Sequence, residues 1–135
     1  MNDEEVSFLK KALDGQNYDM AILFTHFVSW AANAKHIRKP DPNANKMVED
    51  WKSIIIPVLK TGRVSAVFSG DEGVYRNTYF TYFDEIPHIA SGWHSDTKKL
   101  SADFLSIKVI NENELSVTRY GITEQGINKL EFEPL

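Results

Sequence analysis

The chain has 135 residues, 42% of them hydrophobic and 25% charged, with a net charge of −4. That length allows one domain with its own core, and the apolar fraction excludes disorder for the bulk of the chain. The acidic balance argues against a nucleic-acid binder relying on overall charge, no apolar run approaches the ~18 residues of a membrane span, and the lack of cysteine excludes disulfides, thiol nucleophiles and cysteine-bound zinc.

Met1-Asn2-Asp3-Glu4-Glu5 has neither the basic nor the apolar region of a signal peptide, which assigns no compartment and makes cytoplasmic only the default expectation. Asn2 or Asp3 is placed to cap a first helix, with Glu4 and Glu5 in its first turn. Val6, Leu9, Ala12 and Leu13 share one helical face, and Gly15 ends the helix. Met20-Ala21-Ile22-Leu23-Phe24 is a continuous apolar run, the pattern of a strand buried on both faces. A long polar connection follows, with the turn formers Pro40, Asp41, Pro42 and Asn43. Met47, Trp51, Ile54, Ile55 and Val58 repeat at helical spacing and predict a helix over residues 45–60. Pro57 cannot donate to the helical ladder and predicts a kink or restart there. Gly62 stops this helix, and Val64-Ser65-Ala66-Val67-Phe68 is a second apolar strand. Residues 75–83 and 86–90 are rich in β-formers. Phe104-Leu105-Ser106-Ile107-Lys108-Val109-Ile110 turns through Asn111-Glu112-Asn113-Glu114 into Leu115-Ser116-Val117-Thr118-Arg119-Tyr120, an antiparallel hairpin, and residues 127–132 form a last edge strand. The order α-β-α-β-β-β-β-β gives an α/β fold in a single domain over residues 1–135. It begins with a βαβ unit of two parallel strands and continues with antiparallel strands.

Ligands of a parallel strand pair gather beyond its carboxyl ends. Those ends carry Thr25-His26 and Ser69-Gly70-Asp71-Glu72-Gly73. Neighbouring strands lie about 4.8 Å apart, which brings His26 and Asp71 within reach of one another. An imidazole with carboxylates suits zinc or another divalent ion, yet one histidine and one or two acids are an incomplete set. The same residues also fit a plain strand end followed by a solvated turn. His88 and His94 flank Ser91-Gly92-Trp93, and a loop folded over the strand ends would add His94 and Asp96 to the His26 site. In the long connection, Lys35-His36-Ile37-Arg38-Lys39 is a basic cluster suited to phosphates or an acidic partner, and equally to a solvated loop. Ser29, Ser91 and Ser95 lie near histidines without a Gly-x-Ser-x-Gly elbow, which argues against a hydrolase triad.

Taken together, these segments resemble the C-terminal half of the calcineurin-like metallophosphoesterases. The resemblance rests on the first helix, the strand ending Phe24-Thr25-His26, the helix with Trp51 and Pro57, Ser69-Gly70-Asp71-Glu72-Gly73-Val74-Tyr75, and Glu85-Ile86-Pro87-His88-Ile89-Ala90-Ser91-Gly92. Where that family reads Ser-Gly-His-x-His, this chain keeps the frame and loses both histidines. The later segment stands where the family often has Gly-Ile-Pro-Tyr-Ile-x-Ser-Gly. The resemblance implies that His26 is a metal ligand and that Asp71 stands in a ligand position, with Glu72 beside it. It also implies half of an α/β/β/α sandwich and a divalent metal such as Mn, Fe or Zn if any is bound. The family's Asp-x-His and Gly-Asn-His-Asp/Glu motifs do not occur in these 135 residues. Self-contained phosphoesterase chemistry, and a cofactor in the isolated chain, are therefore not expected.

Tyr75, Tyr79, Phe80, Tyr82 and Phe83 make an aromatic strand whose alternation predicts burial on both faces. One sheet face is expected to lie open where the resemblance puts the absent half, a larger apolar area than monomers tolerate. The expected partner is a second copy stacked sheet on sheet, or a chain supplying the missing half. Three functions follow as expectations. They are an oligomeric binding or structural remnant, a phosphoesterase part completed by another chain, and an anion- or nucleic-acid-binding module using Lys35, Arg38 and Lys39.

Overall fold

The structure, a computed structural model, describes residues 2–14, 18–26, 44–70, 79–90, 102–131 and 133–134. Helix α1 (Asp3–Leu13) starts in a capping box. The Asn2 side chain accepts from the Glu5 amide at 2.9 Å, and the Glu5 carboxylate accepts from the Asn2 amide at 2.7 Å. Its first turn is acidic and its last turn holds Lys10 and Lys11, both favourable to the helix dipole. Leu9 is buried, and Val6 and Leu13 pack beside it. Ala12, expected on the same face, is exposed, so the packed stripe is narrower than its spacing suggested.

The second helical region comes in three pieces: α2 (Ala44–Asp50), a π-helical turn (Trp51–Ile55) and α3 (Ile56–Thr61). Pro57 sits in the first turn of α3 and supplies the expected restart. A proline ring crowds the carbonyl four residues back and offers that carbonyl no donor. The ladder widens just ahead of it, where the Ile56 amide donates to the Trp51 carbonyl. Gly62 follows, and a Cβ there would lie 2.6 Å from Leu13 Cδ1, so the ends of α1 and α3 meet only over a glycine. The Tyr18 hydroxyl bridges the same junction, 2.9 Å from the Leu13 carbonyl and 3.0 Å from that of Gly62.

Among the described residues there are eight strands: β1 (Ala21–Thr25), β2 (Val64–Ser69), β3 (Tyr79–Phe83), β4 (Ile86–Ala90), β5 (Ala102–Asn111), β6 (Glu114–Thr123), β7 (Gly126–Leu130) and the short β8 (Glu133–Pro134), which the predicted order lacks; residues 75–78 of the predicted aromatic strand lie outside the described residues. They divide into two sheets. The first has the order β1-β2-β4-β3-β8 and the second β5-β6-β7. The βαβ expectation holds: β1 and β2 are parallel neighbours, and β4 continues parallel to β2. β3 and β4 form an antiparallel hairpin through Asp84 and Glu85, whose φ values of 49° and 71° are those of a type I′ turn. Pro87 falls one residue outside the ladder with β2, which begins at His88, so that ladder loses no bond to it.

The fold is layered as helices, first sheet, second sheet. On one face of the first sheet, Trp51, Ile55, Ile56, Val58 and Leu59 pack with Val64, Val67, Ile86 and Ala90. On the other, Ala66, Phe68 and Ile89 pack with Phe80, Leu105, Ile107, Leu115 and Val117. Here two expectations change. The face thought to lie open is covered over its middle by side chains of the chain's own β5 and β6, because the later strands form a second sheet instead of extending the first. The margins stay bare: Phe24 is 67% exposed and Tyr82 61%. β1 is thus an edge strand, not one buried on both faces, and the aromatic strand β3 is buried on both faces only in part.

Candidate functional site

Register decides what meets at the carboxyl ends. β1 and β2 pair as Phe24 with Phe68 and Thr25 with Ser69, and β2 pairs with β4 as Phe68 with Ile89 and Ser69 with Ala90. Thr25, Ser69 and Ala90 therefore form one row across three strands. The Thr25 and Ser69 hydroxyls are hydrogen-bonded at 2.7 Å, and the Gly70 amide donates to the Thr25 carbonyl at 3.3 Å. His26 follows immediately and is exposed. The two strand ends lie side by side, as a parallel pair requires, with His26 just past the row; Asp71, the residue expected to meet it, lies outside the described residues.

The other predicted site residues, Asp71, Glu72, His94, Asp96, Lys35, Arg38 and Lys39, lie outside the described residues. So do Ser29, Ser91 and Ser95. Among the described residues no group of three or more histidines and acids converges as a metal site would require. The described row offers one imidazole and two neutral hydroxyls already bonded to each other. That donor set does not by itself fit a two-metal phosphoesterase centre.

His88 belongs to the core. It is fully buried in β4, where the Trp51 indole N–H donates to its Nε2 at 2.9 Å and its Nδ1 lies 2.9 Å from the Ile86 carbonyl. An Nε2 that accepts assigns the proton to Nδ1, which then donates to Ile86: a neutral ring with both nitrogens satisfied. Burial lowers its pKa to about 4, the hydrogen bond to the Ile86 carbonyl opposing that shift. The Trp51 and Phe83 rings contact it edge-on, with centroids 5.6 and 5.0 Å away.

One buried ion pair was not foreseen. Arg119 Nε donates to Asp103 at 2.7 Å, with the two side chains 4% and 0% exposed. Arg119 Nη1 donates to the Glu131 carbonyl at 2.8 Å. The pair lies on the inner face of the second sheet. Asn113, at the opposite end of that sheet, packs near Ser65 and Pro87 at the amino ends of β2 and β4. Arg119 and Asp103 are therefore at the same end as the Thr25-Ser69 row. The guanidinium is neutralised by Asp103 and ties the end of β7 inward, so it acts as a clasp and not as an anion receptor. Alternation carried the signal: Arg119 continues Leu115-Val117, and Asp103 begins Leu105-Ile107.

No described helix is long and apolar enough to cross a membrane. No family model matches the chain, and no curated protein matches it in sequence.

Proposed function

We propose that this chain is a metallophosphoesterase-like domain that does not complete a two-metal centre from its own residues and works as an oligomeric binding or structural domain. The observation that carries the reading is the row at the carboxyl ends, where Thr25-His26 and Ser69-Gly70 lie side by side on parallel strands. That is the frame of the family's two metal motifs, here with their histidines reduced to His26. The turn before β4 agrees with it. Glu85 stands where the resemblance puts a glycine and has a φ of 71°, a conformation that favours glycine.

A second reading, favoured by the exposure of His26, is a phosphoesterase part whose remaining ligands come from another chain. His26 would then ligate a metal such as Mn, Fe or Zn, with Asp71 as a substitute oxygen donor. Anion or nucleic-acid binding through Lys35, Arg38 and Lys39 is the weakest reading, given the net charge of −4.

Metal analysis separates the first two. The purified chain is equilibrated with Mn, Fe or Zn, desalted and assayed by plasma mass spectrometry beside His26→Ala. The first reading expects substoichiometric metal that His26→Ala does not change. Stoichiometric metal lost in His26→Ala overturns it in favour of the second.

A further inference from the structure

The two most exposed large hydrophobic side chains among the described residues are Phe8, at 73%, and Phe24, at 67%. They are far apart in sequence yet line one groove of about 440 Å³ with Leu9, Leu23 and Thr25. The groove runs along the outer edge of β1. Among the described residues no strand pairs with that edge. The strand reads Ala21-Ile22-Leu23-Phe24-Thr25, with neither a charge nor a proline to discourage a further strand. An apolar edge, flanked by an aromatic ring on each side, is a template for strand addition.

The geometry identifies the added strand. α1 runs antiparallel to β1: Asn2, Glu4 and Glu5 share the groove with Thr25, while Leu13 and Tyr18 lie at the Ala21 end. The acidic first turn of α1 (Asp3, Glu4, Glu5) is thus at one end of the edge, and its basic last turn (Lys10, Lys11) is towards the other. We propose that two copies of this chain join edge to edge through β1, antiparallel about a two-fold axis at Leu23, with the two α1 helices side by side. Phe24 then faces Ile22 of the second copy, and Leu23 faces Leu23. The acidic end of each α1 meets the basic end of the other. A parallel pairing would set acid against acid and base against base, so the charges select the antiparallel, self-complementary arrangement. Phe24 already stacks on Phe68 of the neighbouring strand β2, with ring centroids 5.5 Å apart, so the new contact extends an apolar row along one face of the first sheet. This deepens the reading of an oligomeric domain by naming its interface, and it replaces the stacked-sheet arrangement with an edge-to-edge one.

Sedimentation velocity across a concentration series tests it. Glu4, Phe8, Lys11 and Phe24 are all exposed, and because Phe24 also stacks on Phe68, circular dichroism of each variant checks that the fold is kept. The wild type is expected to dimerise, and Phe24→Glu and Phe8→Glu each to raise the dissociation constant about tenfold or more. Glu4→Lys and Lys11→Glu are expected to weaken the dimer by about two- to fivefold singly. The double variant restores it, because the exchanged charges face one another again. A wild type that is monomeric at every concentration overturns the proposal. So does a dimer indifferent to Phe24→Glu but broken by Ile127→Glu, which would place the contact on the outer face of the second sheet. Neither outcome touches the metal content of His26→Ala, so the site reading fails or stands separately.

Discussion

His88 carries no charge where it sits, because protonating Nε2 would break its bond from Trp51 inside a dry core. Its pKa in the folded chain is about 4 against an ordinary 6.5, so between those values the unfolded chain takes up a proton that the folded chain refuses. Stability is therefore expected to be unaffected by this group above the unfolded value and to fall as pH drops from 6.5 towards 4, by roughly 3 kcal/mol in all. His88→Gln keeps an acceptor for Trp51 and a donor for Ile86 without titrating. Urea unfolding across this range should show the loss in the wild type and not in the variant; parallel pH profiles would refute the assignment. The Arg119–Asp103 pair belongs to the same scale. Asp103→Ala leaves a buried guanidinium without its counter-charge, and a loss of about 3–5 kcal/mol is expected in denaturant unfolding. Asp103→Ala with Arg119→Met, which removes both charges, should recover much of it.

At the scale of elements, the β3–β4 turn stores avoidable strain. Both central residues have positive φ and neither is glycine. Asp84 is held there by Lys60, whose ammonium donates at 2.7 Å from α3, and that hydrogen bond raises the Lys60 pKa. Glu85 only adds an exposed charge near the Lys60 ammonium, and Glu85→Gly is expected to stabilise the chain by about 0.5–1 kcal/mol in thermal unfolding, since glycine adopts this conformation without steric cost. Pro57 illustrates the opposite case, a local rule visible in the sequence and obeyed in the structure. Its effect reaches one turn further than expected, as the π-helical turn that carries Trp51 and Ile55 into the core.

For the whole molecule, the order of elements was legible because apolar periodicity changes wherever the element type changes. The division into two sheets was not, because alternation in β5 and β6 records that one face is apolar without recording what covers it. The run Ala21-Ile22-Leu23-Phe24 misled for the same reason: it marks two apolar faces, of which one margin is left bare at Phe24. At the site, Thr25-His26 and Ser69-Gly70 were visible as strand ends, but the Thr25–Ser69 bond depends on a register that only the folded pair defines. The passage from β7 to β8 bears on how the chain reaches this state. The second sheet is a meander of consecutive hairpins, closed through turns at 112–113 and 124–125. The first must close Ala21 on Val64 and Tyr79 on Glu133, both long loops. Loop-closure entropy makes the meander the early-forming part and the mixed sheet the late one. With only residues 131–132 between β7 and β8, a meander formed early carries β8 to the margin of β3, and the slower sheet is assembled against a partner already in place.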